Sequence, residues 1–368
     1  MQHRANGIPD MSDASRQHER RFTEGHAKGN HLVDRIKSGA AVTVAAAICA
    51  IVIDATSMWV RAGDDAPVAT QIVDALQQRF GVHAGYRANH AKGIVVEGNF
   101  KAAAEAATLS TSPLFTDTTI PVTVRFSDAS GIPDLPDAAP VANPHGMAIK
   151  FHLPDGRESD IVVNALKFFF VPTAEDFRDL QLAAAASPPN APKPTRLEEF
   201  LAVHQTVSKA IATLGIPDSF ADEQYYGVDA FILVDKANHK QAFRYIVAPE
   251  HIVHLTTDEA SQKSPNYLME DLPQRLRTAP VIFHVKAQLA EPGDPTKDPS
   301  QPWPDTRRVV DLGVLTIDRT VPDSAAAEKK LLFLPGNVTD GIEPSDDPLI
   351  SARDAAYAVS ADRRGESQ

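Results

Sequence analysis

The chain of 368 residues has a single cysteine, Cys49. One thiol forms no internal disulfide and excludes a thiolate-based metal cluster within one chain. Glycine is also sparse, 19 residues against 28 prolines, which points to irregular, proline-punctuated connections. Basic residues are outnumbered, 36 Lys and Arg against 48 Asp and Glu, for a net charge of -12. That balance argues against a sequence-neutral grip on nucleic acid, because phosphate binding needs clustered cations. The sequence has no internal repeat, P-loop, GxGxxG fingerprint or GxSxG elbow, which removes the common nucleotide-binding and hydrolase signatures. What it does have is apolar mass. Hydrophobic residues make up 43% and charged residues 23%, so the chain is long and apolar enough to bury a core, and even a cofactor.

Charge is spread unevenly. Residues 1–37 hold seven basic and five acidic side chains, a net of +2, and the remainder carries -14. The one long apolar run follows at residues 39–53, fifteen positions without a charge. As a helix it covers roughly 22 Å, short of the ~30 Å hydrocarbon core of a bilayer. Extension to Val60 makes it long enough to span, with Asp54 near one interface. Arg35 and Lys37 precede the run and Asp64 and Asp65 follow it, the charge order of a signal peptide or signal anchor. A buried Ala-rich helix is the plainer alternative, but a polar tail and an acidic linker leave it no partner. The expected organisation is a polar tail at 1–37, a signal anchor or transmembrane helix at 38–60, and a folded domain at 66–368. The domain would then be exported to the periplasm or held outside the cytoplasmic membrane.

Within the domain, Ile72, Val73, Leu76 and Phe80 have helical spacing over 68–80. Short β-rich segments follow at 94–96, 121–126, 146–151, 161–163, 167–171, 230–234, 241–248, 281–287, 309–317 and 331–334. In one of them Val281, Phe283 and Val285 share a face opposite Ile282, His284 and Lys286. Helical patterns interrupt at 174–186 and 196–214, with Pro188, Pro189, Pro192 and Pro194 as a stiff connector. Many short strands joined by turn-rich loops predict an α+β fold: an antiparallel β-barrel with flanking helices.

Candidate chemical residues are individually bland. His90 stands between Arg87 and Lys92, Arg125 and Ser127 close a strand, and Asn164 ends another. Arg353 and Tyr357 lie four apart, on one helix face. Their order and spacing carry the information. The run His90-Ala91-Lys92-Gly93, then Val124-Arg125-Phe126-Ser127, then residues 144–151 (PHGMAIKF), then Asn164 with Phe168-Phe169, resembles the haem catalase family. Leu334-Pro335-Gly336-Asn337, Gly341-Ile342-Glu343 and Arg353-x-x-x-Tyr357 continue the resemblance, which covers about residues 68–364. The absence of long C-terminal extensions after Arg364 is similar to the minimal, catalase-related peroxidase branch.

The resemblance implies haem b (Fe) as cofactor, with Tyr357 as the metal ligand. A phenol ordinarily ionises near ~10, so an adjacent cation, Arg353, is needed to hold the phenolate. His90 is implied as general base and then general acid toward peroxide, Asn164 as a peroxide-holding amide, and Ser127 as the partner that orients the imidazole. Arg87, Arg125 and Arg364 match the arginines that take the haem carboxylates, and Phe169 and Phe177 are candidate ring-packing walls. Departures from the larger family members include Asn89 before the distal histidine, Ala355 in the proximal motif and Ala361 after it. The expected function is a peroxidase that reduces hydrogen peroxide, and organic peroxides, with small organic donors and with weak or variable catalase activity. The expected assembly is a monomer or small homo-oligomer, tied to the membrane through the N-terminal segment and without nucleic acid. Two other readings fit the same motifs: a lipid hydroperoxide rearranging enzyme, and a haem- or apolar-ligand-binding barrel without turnover. His251 and His254, three apart, could share a helix face but have no third ligand.

Overall fold

The structure is a computed structural model that describes residues 66–366. The expected tail and the expected anchor therefore lie outside the described residues. No described helix is long and apolar enough to cross a membrane.

Twelve strands are described: β1 (Gly93–Ala102), β2 (Ile120–Ser127), β3 (Gly146–His152), β4 (Glu158–Asn164), β5 (Ile216–Pro217), β6 (Tyr225–Tyr226), β7 (Phe231–Val234), β8 (Lys240–Pro249), β9 (His254–Leu255), β10 (Val281–Leu289), β11 (Val309–Thr320) and β12 (Ile342–Pro344). The main sheet runs β10-β11-β1-β2-β3-β4-β6-β8, and β8 then pairs back onto β10. That last pairing, Phe283 opposite Pro249 through Leu289 opposite Phe243, closes an antiparallel barrel of eight strands with no free edge. β7 and β12 extend the sheet beyond β8. Alternation is clear along β10, where Val281, Phe283, Val285, Ala287 and Leu289 are buried in turn. Inside, Phe126 stacks on Phe220 at 5.3 Å and meets Tyr225 and Phe283 at 5.9 and 6.1 Å. The lumen is thus a packed aromatic core. A bulge between Glu97 and Gly98 brings β1 so close to β11 that a Cβ at Gly98 would lie 2.0 Å from the Thr316 carbonyl oxygen.

Among the described residues nine helices surround the barrel: α1 (Val68–Phe80), α2 (Ala106–Leu109), α3 (Ala174–Ala185), α4 (Arg196–Val203), α5 (Gln205–Ile211), α6 (Thr257–Ser261), α7 (Tyr267–Leu276), α8 (Ser324–Lys330) and α9 (Pro348–Glu366). α1 packs on α3 and α9 through Ile72, Val73 and Leu76, with Leu349, Ala356 and Phe177 opposite. α3 begins on Thr173, whose hydroxyl accepts from the Asp176 N–H at 3.1 Å.

Four sequence expectations change. The helix expected over 196–214 is two helices, because His204 stacks on Phe200 at 4.0 Å and leaves helical geometry at φ -103°, ψ 68°. Residues 167–171 are not a strand: the Asn164 side-chain oxygen accepts from the Leu166 N–H at 2.8 Å and turns the chain away, and Phe169 donates to Pro299 instead. Residues 331–334 are extended but unpaired by any strand, since side chains take their backbone groups. Leu331 O accepts from Arg87 and Arg364, and Leu334 N–H donates to Asp160. His254 lies in β9, not in a helix, and pairs with Glu223 at 3.2 Å. The proline-rich stretch 292–304 is irregular and is held by Arg244, which donates to the Gln301 and Asp298 carbonyls and sits 4.6 Å from the Trp303 ring centroid.

Candidate active site

A cavity of about 470 Å³ lies between the barrel wall and helices α1, α3 and α9, with His90, Asn164 and Tyr357 among its lining residues. His90, just before β1, has a left-handed backbone, φ 56°, uncommon for a non-glycine residue. Its conformation is held by His90 N–H to Ala129 O at 3.3 Å and Ala91 N–H to Ser130 O at 2.9 Å. His90 Nδ1 is 3.0 Å from Ser127 Oγ. With the proton on Nδ1, the imidazole donates to the serine and leaves the Nε2 lone pair free for an incoming proton. Gly146, paired with Ser127 across β2 and β3, lies beside this pair. A Cβ there would come within 3.0 Å of His90 Cε1 and 3.1 Å of Ser127 Oγ. Burial first, and then the nearby Arg125 and Arg353, push the His90 pKa down to about 3. The ring is therefore neutral at ordinary pH.

Tyr357 and Arg353 share a face of α9. Arg353 donates from Nε and Nη2 to the phenol oxygen at 3.2 and 3.1 Å, and from Nη1 to Asp229, a close and buried ion pair. Burial opposes the guanidinium charge, but Asp229 and Tyr357 outweigh it and raise the Arg353 pKa. Asp229 was not legible in the sequence, because it lies 124 residues from Arg353 and only the closed fold joins them. Asp347, which accepts from the Leu349 N–H at 2.9 Å, is held up to about 7 by burial first and by Asp229 second.

Three arginines crowd one end of the cavity. Arg87 and Arg125 both reach Glu328 of α8, at 3.4 and 3.0 Å, and Arg364 lines the same space. Burial lowers the Arg87 pKa well below its usual value, helped by Arg125 and Arg364 and opposed by Glu328. Arg364 is lowered in the same way. Three cations around one carboxylate leave a surplus of about two positive charges, the signature of a place for an anion. Arg125 Nε is in addition buried without a hydrogen-bond partner. Glu328 is a second residue that sequence reading missed, since a glutamate in AAAEKK reads as solvated surface. Phe169 and Phe177 line the apolar part with rings 5.4 Å apart. The expected site residues thus converge on one cavity, and Ser127 stands on its wall.

A further polar cluster sits behind the His90 strand. Lys92 pairs with Asp137 and donates to the Leu135 carbonyl at 2.7 Å, and His145 Nε2 is 3.4 Å from Asp128. Burial first and Asp137 second hold the Asp128 carboxyl up to about 9. These contacts pin the loop that joins β2 to β3.

The catalase family model matches residues 52–366. The chain belongs to the catalase family. It is 34% identical over 299 residues to a catalase-related peroxidase of Synechococcus elongatus, spanning 80% of this chain and 88% of that protein. It is 36% identical over 299 residues to a catalase-related peroxidase of Mycolicibacterium paratuberculosis, spanning 80% and 94%. Among solved structures, a bacterial catalase superposes with a TM-score of 0.68 at 22% identity, covering 77% of this chain and 58% of that one. Catalase A from Saccharomyces cerevisiae gives 0.67 at 18% identity, covering 77% and 62%. The chain spans about three fifths of these two solved catalases, which share its barrel.

Catalases hold haem, and the residues present fit that group. The cavity is walled by aromatic and aliphatic side chains, suited to a flat porphyrin. Tyr357 supplies a phenol already bonded to a permanent cation, the ligand type used by catalases. The arginine surplus matches the two carboxylates of haem b, which would rest on Arg87, Arg125 and Arg364.

Proposed function

We propose that this chain is a haem-dependent peroxidase that reduces hydrogen peroxide with small organic donors and has weak or variable catalase activity. One observation carries the reading: a neutral, Ser127-held His90 and an Arg353-held Tyr357 line the same apolar cavity, with surplus arginines at its end.

When bound, haem supplies an iron that takes two oxidising equivalents from peroxide. His90 Nε2 accepts the proton of the nearer peroxide oxygen and returns it to the farther oxygen, which leaves as water. The Asn164 side-chain oxygen is engaged by the Leu166 N–H, so its NH2 group is the part available to peroxide. That amide donates without competing for the transferred proton. Arg353 donates to the Tyr357 oxygen, and Asp229 keeps Arg353 in place. The apolar walls exclude water from the reacting oxygens.

The experiment is haem reconstitution followed by rapid mixing with hydrogen peroxide. The protein should take up haemin with a ferric Soret band that Tyr357→Phe abolishes or shifts, and His90→Ala should slow the peroxide step by roughly 10²–10⁴-fold. A colourless protein, or an unchanged rate in His90→Ala, would sink the proposal. Asn89 lines the cavity beside His90 and favours a second reading, rearrangement of a fatty-acid hydroperoxide without a donor. Product analysis with such a hydroperoxide, donor omitted, selects between the two. The apolar segment at 38–60 is proposed to export or anchor the domain, which cell fractionation of the full chain tests.

A further inference from the structure

Gly93 of β1, Ser127 of β2, Gly146 of β3 and Asn164 of β4 stand side by side in the sheet. Ser127, which holds His90, and Asn164 thus share one row at the end of their strands, and both line the cavity. One residue farther along, the next row is Lys92, Asp128, His145 and Ala165. Asp128 N–H donates to Lys92 O at 3.1 Å and Ala165 N–H to His145 O at 2.9 Å. Between Asp128 and His145 the contact is made by side chains, with His145 Nε2 3.4 Å from Asp128 Oδ1. Successive strand residues face opposite ways, so this second row meets the site row from behind. Its charges do not balance. Asp128, Asp137 and His145 are fully buried, and the two carboxylates have one lysine between them. Lys92 pairs with Asp137, which also accepts from the Leu268 N–H at 2.8 Å, and stands 4.0 Å from Asp128. Neither Asp128 oxygen has a hydrogen-bond partner while the group is a carboxylate. The group within hydrogen-bond reach of it is the other carboxyl, Asp137. One proton on Asp128 resolves both faults, since it donates to Asp137 and cancels the second buried negative charge.

We infer that Asp128 is a positioning residue for His90: as a neutral carboxylic acid it bridges Asp137 and His145, and so fixes the end of β2 that carries Ser127. With the bridge intact, Ser127 Oγ stays 3.0 Å from His90 Nδ1, and the imidazole keeps the tautomer in which Nε2 is free to take a proton. Without it, the ends of β2 and β3 move apart and the serine leaves the ring. Burial first and the Asp137 charge second favour the protonated form of Asp128, while burial keeps His145 neutral beside it. Asp128 lies outside the cavity wall and acts through Ser127 alone. The inference rests on the peroxidase reading and adds the support behind its proton acceptor.

The test compares Asp128→Asn, which keeps a neutral donor and acceptor, with Asp128→Ala, which keeps neither. In haem-loaded protein at pH 7, Asp128→Asn should react with hydrogen peroxide within about twofold of the parent, and Asp128→Ala about five- to tenfold more slowly, the loss expected for one hydrogen bond to the imidazole. Asp128→Ala combined with Ser127→Ala should stay within about twofold of the slower single variant, because both changes remove one contact. Around Asp128 the titratable groups are Lys92, Arg125, Asp137, His145 and Tyr267. Above pH about 9 the parent rate should fall as Asp128 loses its proton beside Asp137, and Asp128→Asn should lack that fall. Amide exchange of the cofactor-free protein gives a readout apart from turnover. Asp128→Ala should speed exchange at His90 and Ala91, whose N–H groups bond to Ala129 and Ser130, by about tenfold, with β10 unchanged. A slow Asp128→Asn, an alkaline fall that persists in it, additive losses in the double variant, or unchanged exchange in Asp128→Ala overturns the inference. The Asp128→Asn pH profile decides even where Asp128→Ala does not fold. A parent that binds no haemin or ignores peroxide overturns instead the peroxidase reading, and the exchange comparison still judges the bridge.

Discussion

Asp229→Asn isolates what the buried ion pair contributes. Asp229 is 2% exposed and Arg353 13%, so neither charge has water to fall back on. Asparagine keeps the shape but removes the charge, leaving the guanidinium buried without its carboxylate. Removing one partner of a buried pair costs about 3–5 kcal/mol. A domain of about 300 residues unfolds with an entropy of about 0.6 kcal/mol/K, so that loss lowers Tm by about 5–8 °C. Calorimetry of the cofactor-free protein measures it directly. Arg353→Met should cost a similar amount. The double variant, which removes both charges, should be more stable than the sum of the two losses implies by about 2–3 kcal/mol, because the pair is coupled. A Tm within a degree of the parent in Asp229→Asn, or strict additivity in the double variant, would refute the account of the proximal wall.

Other expectations follow from the same geometry. Ser127→Ala removes the partner of His90 Nδ1 and should slow the peroxide step by about five- to tenfold, a loss of about 1 kcal/mol, without altering the resting absorption spectrum. Gly146→Ala forces a methyl against the imidazole and should slow the same step; an unchanged rate would mean that the ring position matters little. His90 and His145 are held down to about 3 and about 4, in both cases chiefly by burial. The unfolded chain protonates both near ~6.5, so stability that is present above that pH is lost as pH falls, about 2 kcal/mol per histidine at pH 5. Urea titrations at pH 7.5 and 5.0 should therefore show a smaller pH-dependent loss in His145→Phe than in the parent, and equal losses would contradict this assignment.

Local chemistry was legible where period and motif coincide. The helix at 68–80 and the alternation of Val281, Phe283 and Val285 came from apolar spacing alone, and the structure places both as expected. The site residues were legible only as a set, since His90, Arg125, Asn164 and Arg353 each have a plain reading in isolation. Side chains that act on backbone escaped the pattern. Asn164 and Phe169 end the chain's extended run through hydrogen bonds that no periodicity encodes, and His204 breaks a helix by stacking on its own preceding turn. Asp229 and Glu328 escaped because a lone acidic residue carries its meaning in what lies opposite, and those arginines arrive from far along the chain.

That distance also has a meaning in time. The α1-to-β1 connection meets α9 through Ala88 N–H and Ser360 Oγ, 272 residues apart. At about 5–20 residues per second, roughly 15–50 s of synthesis separate the histidine side of the cavity from the tyrosine side. During that interval the arginine-rich end exists without Arg364 and without the phenol opposite. A nascent barrel can therefore close and bury its aromatic core before it has any means of gripping a cofactor, which makes cofactor capture a late event that follows folding of the sheet.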